Sequence, residues 1–427
     1  MRDTAIFGLA LGLAGTPWEV NEVSLDLEAK RLDIRLDFPP GTRFPRPSDG
    51  KLSSVYDTKE RTWRHLNFFQ YECHLHAWVP RVDGGEPDGI KQVEVPWARP
   101  GSGFTLLMEA LMVILARTGM TVAEVGRVLV ETAHRIWRVL FHHVGRALGH
   151  RDLSRVRELT VDETSVRRGH EYVTVMCEPA RGARGRCPAQ TTRVLAVSEG
   201  KDAQAVQAAC ESLVERGLKP EAIVQVCADM SPAYAKGVKT SFPFAELVFD
   251  FFHVVQLITA GVDQVRRRES RQFPQLLKGT RYLWLKNDAK LTQAQRQTLQ
   301  ELARSKLQTA KAHTHLVAFQ DLLRGRDYEE ALGGLKWWYN WVTHSRVPEM
   351  IKVAKSIKRH WDGILAYLRT RLTNGPAEAI NGIIQTAKRK SRGFRSFEYF
   401  RITIHLIASK LTFDLPSPIP VDPHKTS

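Results

Sequence analysis

Three acidic residues stand where a carboxylate serves no packing purpose. Asp162 ends the apolar run Leu159-Thr160-Val161, Asp229 ends the run 223–228, and Glu378 lies in the first turn of a helix opened by Asn374-Gly375-Pro376-Ala377. Strand ends are where a buried sheet exposes chemistry. Two aspartates on neighbouring strands and a glutamate from a helix can converge on Mg²⁺, which prefers carboxylate oxygens and keeps positions open for phosphate. Such a trio suits the cutting and joining of phosphodiester bonds.

The glutamate does not stand alone on its helix. Asn381 and Gln385 follow it at i+3 and i+7, so the three share one face, and Lys388 and Arg389 come a turn later. One face thus offers a metal ligand, two amides and then cations. Lys390, Arg392 and Arg395 continue the phosphate-binding character before Phe397-Glu398-Tyr399-Phe400 returns to packing. A solvent-facing helix could carry the same polar stripe.

The two aspartates need a sheet to bring them together. Runs at 158–163, 172–177 and 192–197 read as consecutive strands, a helix over 203–215 follows, and further strands fall at 223–228 and 246–249. Three strands, a helix, a strand, a helical segment and a strand is the ribonuclease-H-like order. It places Asp162 and Asp229 on adjacent strands. Residues 254–361 then change to helical periodicity without strand signal, an all-α insertion before the catalytic texture resumes at 362–412. The insertion carries Arg266-Arg267-Arg268 and Trp337-Trp338-Tyr339-Asn340-Trp341; a basic run is usually a solvated face and a Trp cluster usually a core, while together they fit DNA contact.

Upstream, residues 1–100 are rich in strand and turn signals and form a small β-rich module, with Trp63, Leu66, Leu75, Trp78 and Val79 as its expected core. Residues 101–150 carry a helical pair. Thr121 and Glu124 have capping-box spacing, and a second helix turns His134, Arg135 and Arg138 outward while Ile136, Val139 and Leu140 pack. This fits a helix-turn-helix with a recognition helix, or an ordinary amphipathic pair. The expected fold class is therefore multidomain α/β: a ribonuclease-H-like domain (156–253 and 362–412) interrupted by an α-helical insertion (254–361), preceded by the β-module and helix-turn-helix, with a tail at 413–427.

Composition supports a polyanionic partner. The 427 residues carry 62 Lys+Arg against 46 Asp+Glu, a net charge of +16, and positive charge binds phosphates through counterion release. The apolar stretch at 5–14 is too short to span a bilayer, so no membrane role is expected. Five cysteines with no Cys-x-x-Cys pair argue against a disulfide framework and point to the cytoplasm. No phosphate-binding loop of the Gly-x-x-x-x-Gly-Lys type is present, so ATP is not required.

These features coincide in one family. The strings TVDET (160–164), VCADMSPAY (226–234), VFDFFH (248–253) and NGPAEAINGIIQTAKRKSRGFRSFEYF (374–400) resemble the DDE transposases of bacterial insertion sequences, specifically the ISL-three family. Upstream, VYDTKERTWRHL (55–66), VPRV (79–82) and VPWA (95–98) extend the resemblance over nearly the whole chain. It implies a catalytic triad of Asp162, Asp229 and Glu378 binding two Mg²⁺ ions, with Mn²⁺ a possible substitute. It also implies binding of double-stranded DNA, both terminal inverted repeats and target, by a homodimer or higher oligomer. The string Asp250-Phe251-Phe252-His253 resembles a motif whose histidine lies beside the active site; His253 reads equally as a buried histidine at a strand-to-helix junction. DNA contacts are expected from His134, Arg135, Arg138, Arg266, Arg267, Asn381, Gln385, Lys388, Arg389, Lys390 and Arg392.

One departure stands out. Where relatives carry a Cys-Pro-x-Cys knuckle, this chain has Arg46-Pro47-Ser48-Asp49, and later ligand positions read Gly84 and Asp88. Structural zinc needs four N or S ligands, and Cys73, His74 and His76 form no such set, which leaves zinc doubtful. Two other functions share parts of the pattern. A transposase-derived regulator needs the DNA-binding modules without the triad, and a ribonuclease-H-like nuclease or resolvase needs the acids without those modules.

Overall fold

The computed structural model describes residues 3–84, 89–167, 171–179, 192–286, 290–325 and 327–419. The chain divides into two compact units, one ending at Ala147 and taking in the chain from Thr412, the other spanning Leu148–Leu411.

The first unit opens with helix α1 (Asp3–Ala10) and strands β1 (Glu19–Asp26), β2 (Arg31–Asp37), β3 (Arg43–Pro45), β4 (Leu52–Arg64), β5 (Glu72–Asp83) and β6 (Ile90–Gln92). They form one sheet in the order β1-β2-β5-β4-β3, with β6 on the end of β5. Its buried face is built by period-2 alternation: Cys73, Leu75, Ala77 and Val79 of β5 all point inward. Trp18 and Trp63 each meet Trp97 edge-on, at 5.0 and 5.5 Å. The same alternation corrects one expected core residue. Trp78 falls out of phase with Leu75 and Val79 and is 50% exposed, and Leu66, past the end of β4, is only half-buried.

The remaining Cys and His candidates are Cys73, His74 and His76, and the two histidines have partners of their own. His76 bonds Asp33 at 2.6 Å and Thr62 at 3.0 Å, and His74 faces Glu72 at 3.6 Å. Burial pushes the Cys73 thiol up to about 12. Asp49 accepts from the Lys51 backbone. Asp88 lies outside the described residues.

Helices α2 (Leu106–Arg117), α3 (Val122–Leu129) and α4 (Ala133–Gly149) follow. Thr121 and Glu124 close a full capping box at the start of α3. Val125 and Leu129 of α3 are buried with Ile136, Val139 and Leu140 of α4, as the apolar spacing predicts. Beneath them Glu109, fully buried on α2, accepts from Arg99 (3.0 Å), Ser102 (2.6 Å) and His143 (2.6 Å), which ties the helices to the preceding loop.

The second unit is built on strands β7 (Glu158–Arg167), β8 (Glu171–Glu178), β9 (Arg193–Glu199), β10 (Gln225–Ala228) and β11 (Glu246–Phe249), ordered β11-β10-β7-β8-β9. β8 runs antiparallel to both β7 and β9, whereas β10 runs parallel to both β7 and β11. Helices α5 (Ala203–Val214) and α6 (Pro232–Ser241) pack with Leu159, Val161, Met176 and Val226 into one core. From α7 (Phe251–Glu269) the chain is helical: α8 (Pro274–Leu277), α9 (Arg281–Leu285), α10 (Gln293–Ala303), α11 (Gln308–Arg324), α12 (Tyr328–Thr343), α13 (Pro348–Arg359) and α14 (Trp361–Thr370). Their core, with Trp284, Phe319 and Trp338 wholly buried, reaches Phe249 on β11. Helices α15 (Gly375–Lys390) and α16 (Phe397–Ala408) return to the sheet and bury Ala377, Ile380, Ile384 and Phe400 against Val173, Val175 and Val194.

Candidate active site

The site forms where β10 and β11 end, beside the middle of β7 and the start of α15; β7 runs on to Arg167, so Asp162 lies within the strand and not at its expected end. Cys227 on β10 pairs with Thr160 on β7 in parallel register; two residues further on, Asp229 has just left β10 while Asp162 is still within β7. Asp162 Oδ1 accepts from the Glu163 backbone N at 2.9 Å, and Asp229 Oδ1 accepts from Ser231 N at 2.7 Å, which turns the chain into α6.

β11 contributes an acid of a different kind. Asp250 is completely buried and caps α7, accepting from Phe252 N at 3.1 Å. Its other oxygen takes Thr373 Oγ1 at 2.7 Å and Asn374 N at 2.9 Å. Asn374, itself buried, donates to the Val161 carbonyl at 3.0 Å. The start of α15 is thereby pinned to β11 and β7 together, and Glu378 projects from its first turn.

Electrostatics bind these acids into one cluster. Burial pushes the Asp162 carboxyl up to about 7; the nearby negative charges of Glu163 and Glu378 add to the rise, and His253 opposes it. Glu163 is raised by burial and then by Asp229, and Glu378 by burial and then by Asp250. His253 counters both. Among the described residues, Asp250, His253 and Glu378 bring ligand atoms within 4.8 Å of one another. Asp162 and Asp229 are not part of that tightest group; they border it through the charges that Asp162 and Glu163 feel.

The donor set suits a hard divalent cation. Among the described residues no lysine or arginine hydrogen-bonds Asp162, Asp229 or Glu378, and Lys201 eases Glu163 through its charge alone, which leaves the crowded carboxylates short of positive charge. Two shielded carbonyl oxygens, Asn374 Oδ1 and Asn381 Oδ1, accept no hydrogen bond, the condition of acceptors whose partner arrives with a ligand or water.

Several expected DNA contacts have partners inside the chain. Asn381 reaches Asp162, Gln385 reaches Thr164 and Ser165, and Lys388 reaches Ser165, so these polar ends face β7. Arg389 bonds Thr386 and stays exposed with Lys390 and Arg392. On α4, His134 and Arg138 are exposed, whereas Arg135 pairs with Glu131 at 2.7 Å and lies 4.1 Å over the Phe104 ring. In α7, Arg266 is nearly buried against Asp263, and Arg267, bound to the same carboxylate, remains 64% exposed.

Sequence reasoning passed over Glu163, and it read Asp250 only as part of the histidine motif. Glu163 comes directly after Asp162 inside β7, whereas Asp250 follows the apolar end of β11 and precedes a helix as an N-cap, which is the signal that could have flagged it. Asn374 gave no such signal, because its role depends on two strands distant in sequence.

Comparison with known proteins agrees with this geometry. A DDE-type family model described as Transposase matches residues 159–404, which hold all three acids. Residues 93–144 match the helix-turn-helix domain of transposase family ISL3. The chain is 27% identical over 365 residues to the transposase for insertion sequence element IS1001 of Bordetella parapertussis, covering 83% of this chain and 86% of the relative. It is 28% identical over 383 residues to the transposase for IS1557 of Mycobacterium tuberculosis strain CDC 1551 / Oshkosh, covering 81% and 82%. With more than half of its length matched, this chain belongs to the ISL3 family of DDE transposases.

Proposed function

We propose that this protein is the transposase of an insertion sequence, which binds the element's terminal inverted repeats, cleaves the DNA strands there and joins them to a target. The observation that supports this reading is the parallel pairing of Cys227 with Thr160, two residues before Asp229 and Asp162, together with Asn374 at the start of the Glu378 helix bonding both Asp250 and Val161. On it, Asp162, Asp229 and Glu378 are the metal-binding triad and His253 the histidine beside it. Strand order and direction support a ribonuclease-H-like catalytic domain (156–253 and 362–412) with an all-α insertion (254–361). Residues 1–100 and 101–150 are the modules that select DNA.

Residues of the triad would hold Mg²⁺, two ions by family likeness, which when bound supply Lewis-acid stabilisation at phosphorus and a more acidic nucleophile. The chain's own part is orientation. Glu163 N and Asn381 hold the two oxygens of Asp162, Ser231 N holds Asp229, and the Asp250 network sets the helix that presents Glu378. His253 opposes the burial-driven rise of Asp162, Glu163 and Glu378, and a bound cation would favour their ionised forms further. In-line displacement by water and then by a DNA 3′-hydroxyl requires no protein nucleophile.

The experiment is cleavage of duplex carrying the inverted repeats that flank the gene, against random duplex, with and without Mg²⁺. Asp162→Asn, Asp229→Asn and Glu378→Gln are each expected to lose more than about 100-fold in cleavage while still shifting end DNA in a gel. Near-parental cleavage by any of the three removes that residue from the triad.

A further inference from the structure

β7 pairs with β8 as far as Arg167 but with β10 only through Thr160, because β10 stops at Ala228. Beyond that point one side of β7 would be left with unpaired carbonyls. Side chains of α15 take the place of the missing strand. Asn374 donates to the Val161 carbonyl at 3.0 Å, Asn381 to Glu163 at 3.3 Å, and Gln385 and Lys388 to Ser165 at 2.9 and 2.7 Å. The acceptors alternate along β7, as carbonyls on one side of a strand must.

One rung differs from the rest. Asn381 Nδ2 also donates to Asp162 Oδ2 at 2.8 Å, while Asp162 Oδ1 takes Glu163 N at 2.9 Å. One oxygen of Asp162 is held by its own strand and the other by the helix that carries Glu378, one turn before Asn381. A carboxylate's terminal torsion is otherwise broad. An amide fixes it without bringing a charge that would repel a cation, which lysine or arginine would do.

We infer that Asn381 is a positioning residue that clamps Asp162 to the Glu378 helix and so orients the aspartate for the divalent cation. The inference rests on the triad proposed above. It assigns Asn381 a task inside the site in place of a contact with DNA.

The test is Mn²⁺ binding to the full-length chain without DNA, read from the electron paramagnetic resonance signal of free Mn²⁺, with helix content and thermal midpoint measured on every variant. Asn381→Ala keeps a strong helix former in α15 and is expected to weaken Mn²⁺ binding by about tenfold or more. Asn381→Ser, too short to reach Asp162, is expected to do the same, so the result does not hang on the folding of one variant. Gln385→Ala removes bonds to β7 without touching Asp162, and its Mn²⁺ affinity should stay near the parental value. Equal weakening by Gln385→Ala would show that the amides only dock the helix, and parental affinity in both Asn381 variants would equally overturn the clamp. Asp162→Asn sets the scale. If it loses Mn²⁺ while the Asn381 variants keep it, the clamp alone fails; if it binds like the parent, the triad fails and the clamp with it.

Discussion

At the scale of single residues, charge and burial separate side chains that look alike in sequence. Arg135 and Arg138 both sit on α4 with an outward bias, yet Arg135 is tied to Glu131 and stacked on Phe104, whereas Arg138 is exposed. Arg138→Ala should therefore weaken binding to end DNA and flatten its salt dependence by roughly one phosphate contact. Arg135→Ala should instead lower stability by roughly 0.5–1 kcal/mol, seen as a reduced thermal midpoint. Equal loss of DNA affinity with no change in stability would place both in the interface. Asp162, Asp229 and Glu378 stand out in the sequence as candidates because a carboxylate after an apolar run, or in a first helical turn, has a local signature. The pairing of Arg135 depends on Phe104, some thirty residues upstream by its ring contact, and no periodicity reports it.

At the scale of elements, the sequence spoke clearly wherever a period or a cap was local. The five strands of the second sheet and the capped α3 form where the apolar runs and the Thr121–Glu124 spacing suggest, but β7 continues to Arg167, past the expected end at 163, and β10 begins only at Gln225. Trp78 was misread because hydrophobicity was weighed above phase; a residue one step out of register faces the other side of the strand however apolar it is. Close approach of elements was invisible too. Gly363 on α14 lies so near β11 that an added Cβ would sit 2.3 Å from the Phe249 ring, directly before Asp250. Gly363→Ala should push α14 off β11 and cost about 1–3 kcal/mol, measured by denaturant unfolding. An unchanged midpoint would mean that Phe249 can swing aside at no expense.

At the scale of the whole molecule, buried histidines set the response to acid. Burial holds His65 and His315 neutral down to about 4 and His405 down to about 3, from an ordinary 6.5. Their folded values are depressed, so the stability they contribute is present above about pH 6.5 and is lost as pH falls toward 4 and 3. The raised carboxyls of Asp162, Glu163 and Glu378 act with the opposite sign, so the clean comparison is parent against His315→Phe. The variant should gain about 1–2 kcal/mol on the parent between pH 7 and pH 5; a difference independent of pH would show that His315 titrates normally. The central claim also belongs to this scale: three acids from segments far apart in sequence meet at one metal centre. It is tested most directly by loading the chain with Fe²⁺ in place of Mg²⁺, adding ascorbate and peroxide, and mapping where the backbone is cut. The account predicts cuts clustered near 162, 229 and 378, all suppressed by excess Mg²⁺ and all lost together in Asp162→Asn; cuts confined to one of these segments, or unaffected by that substitution, would contradict it.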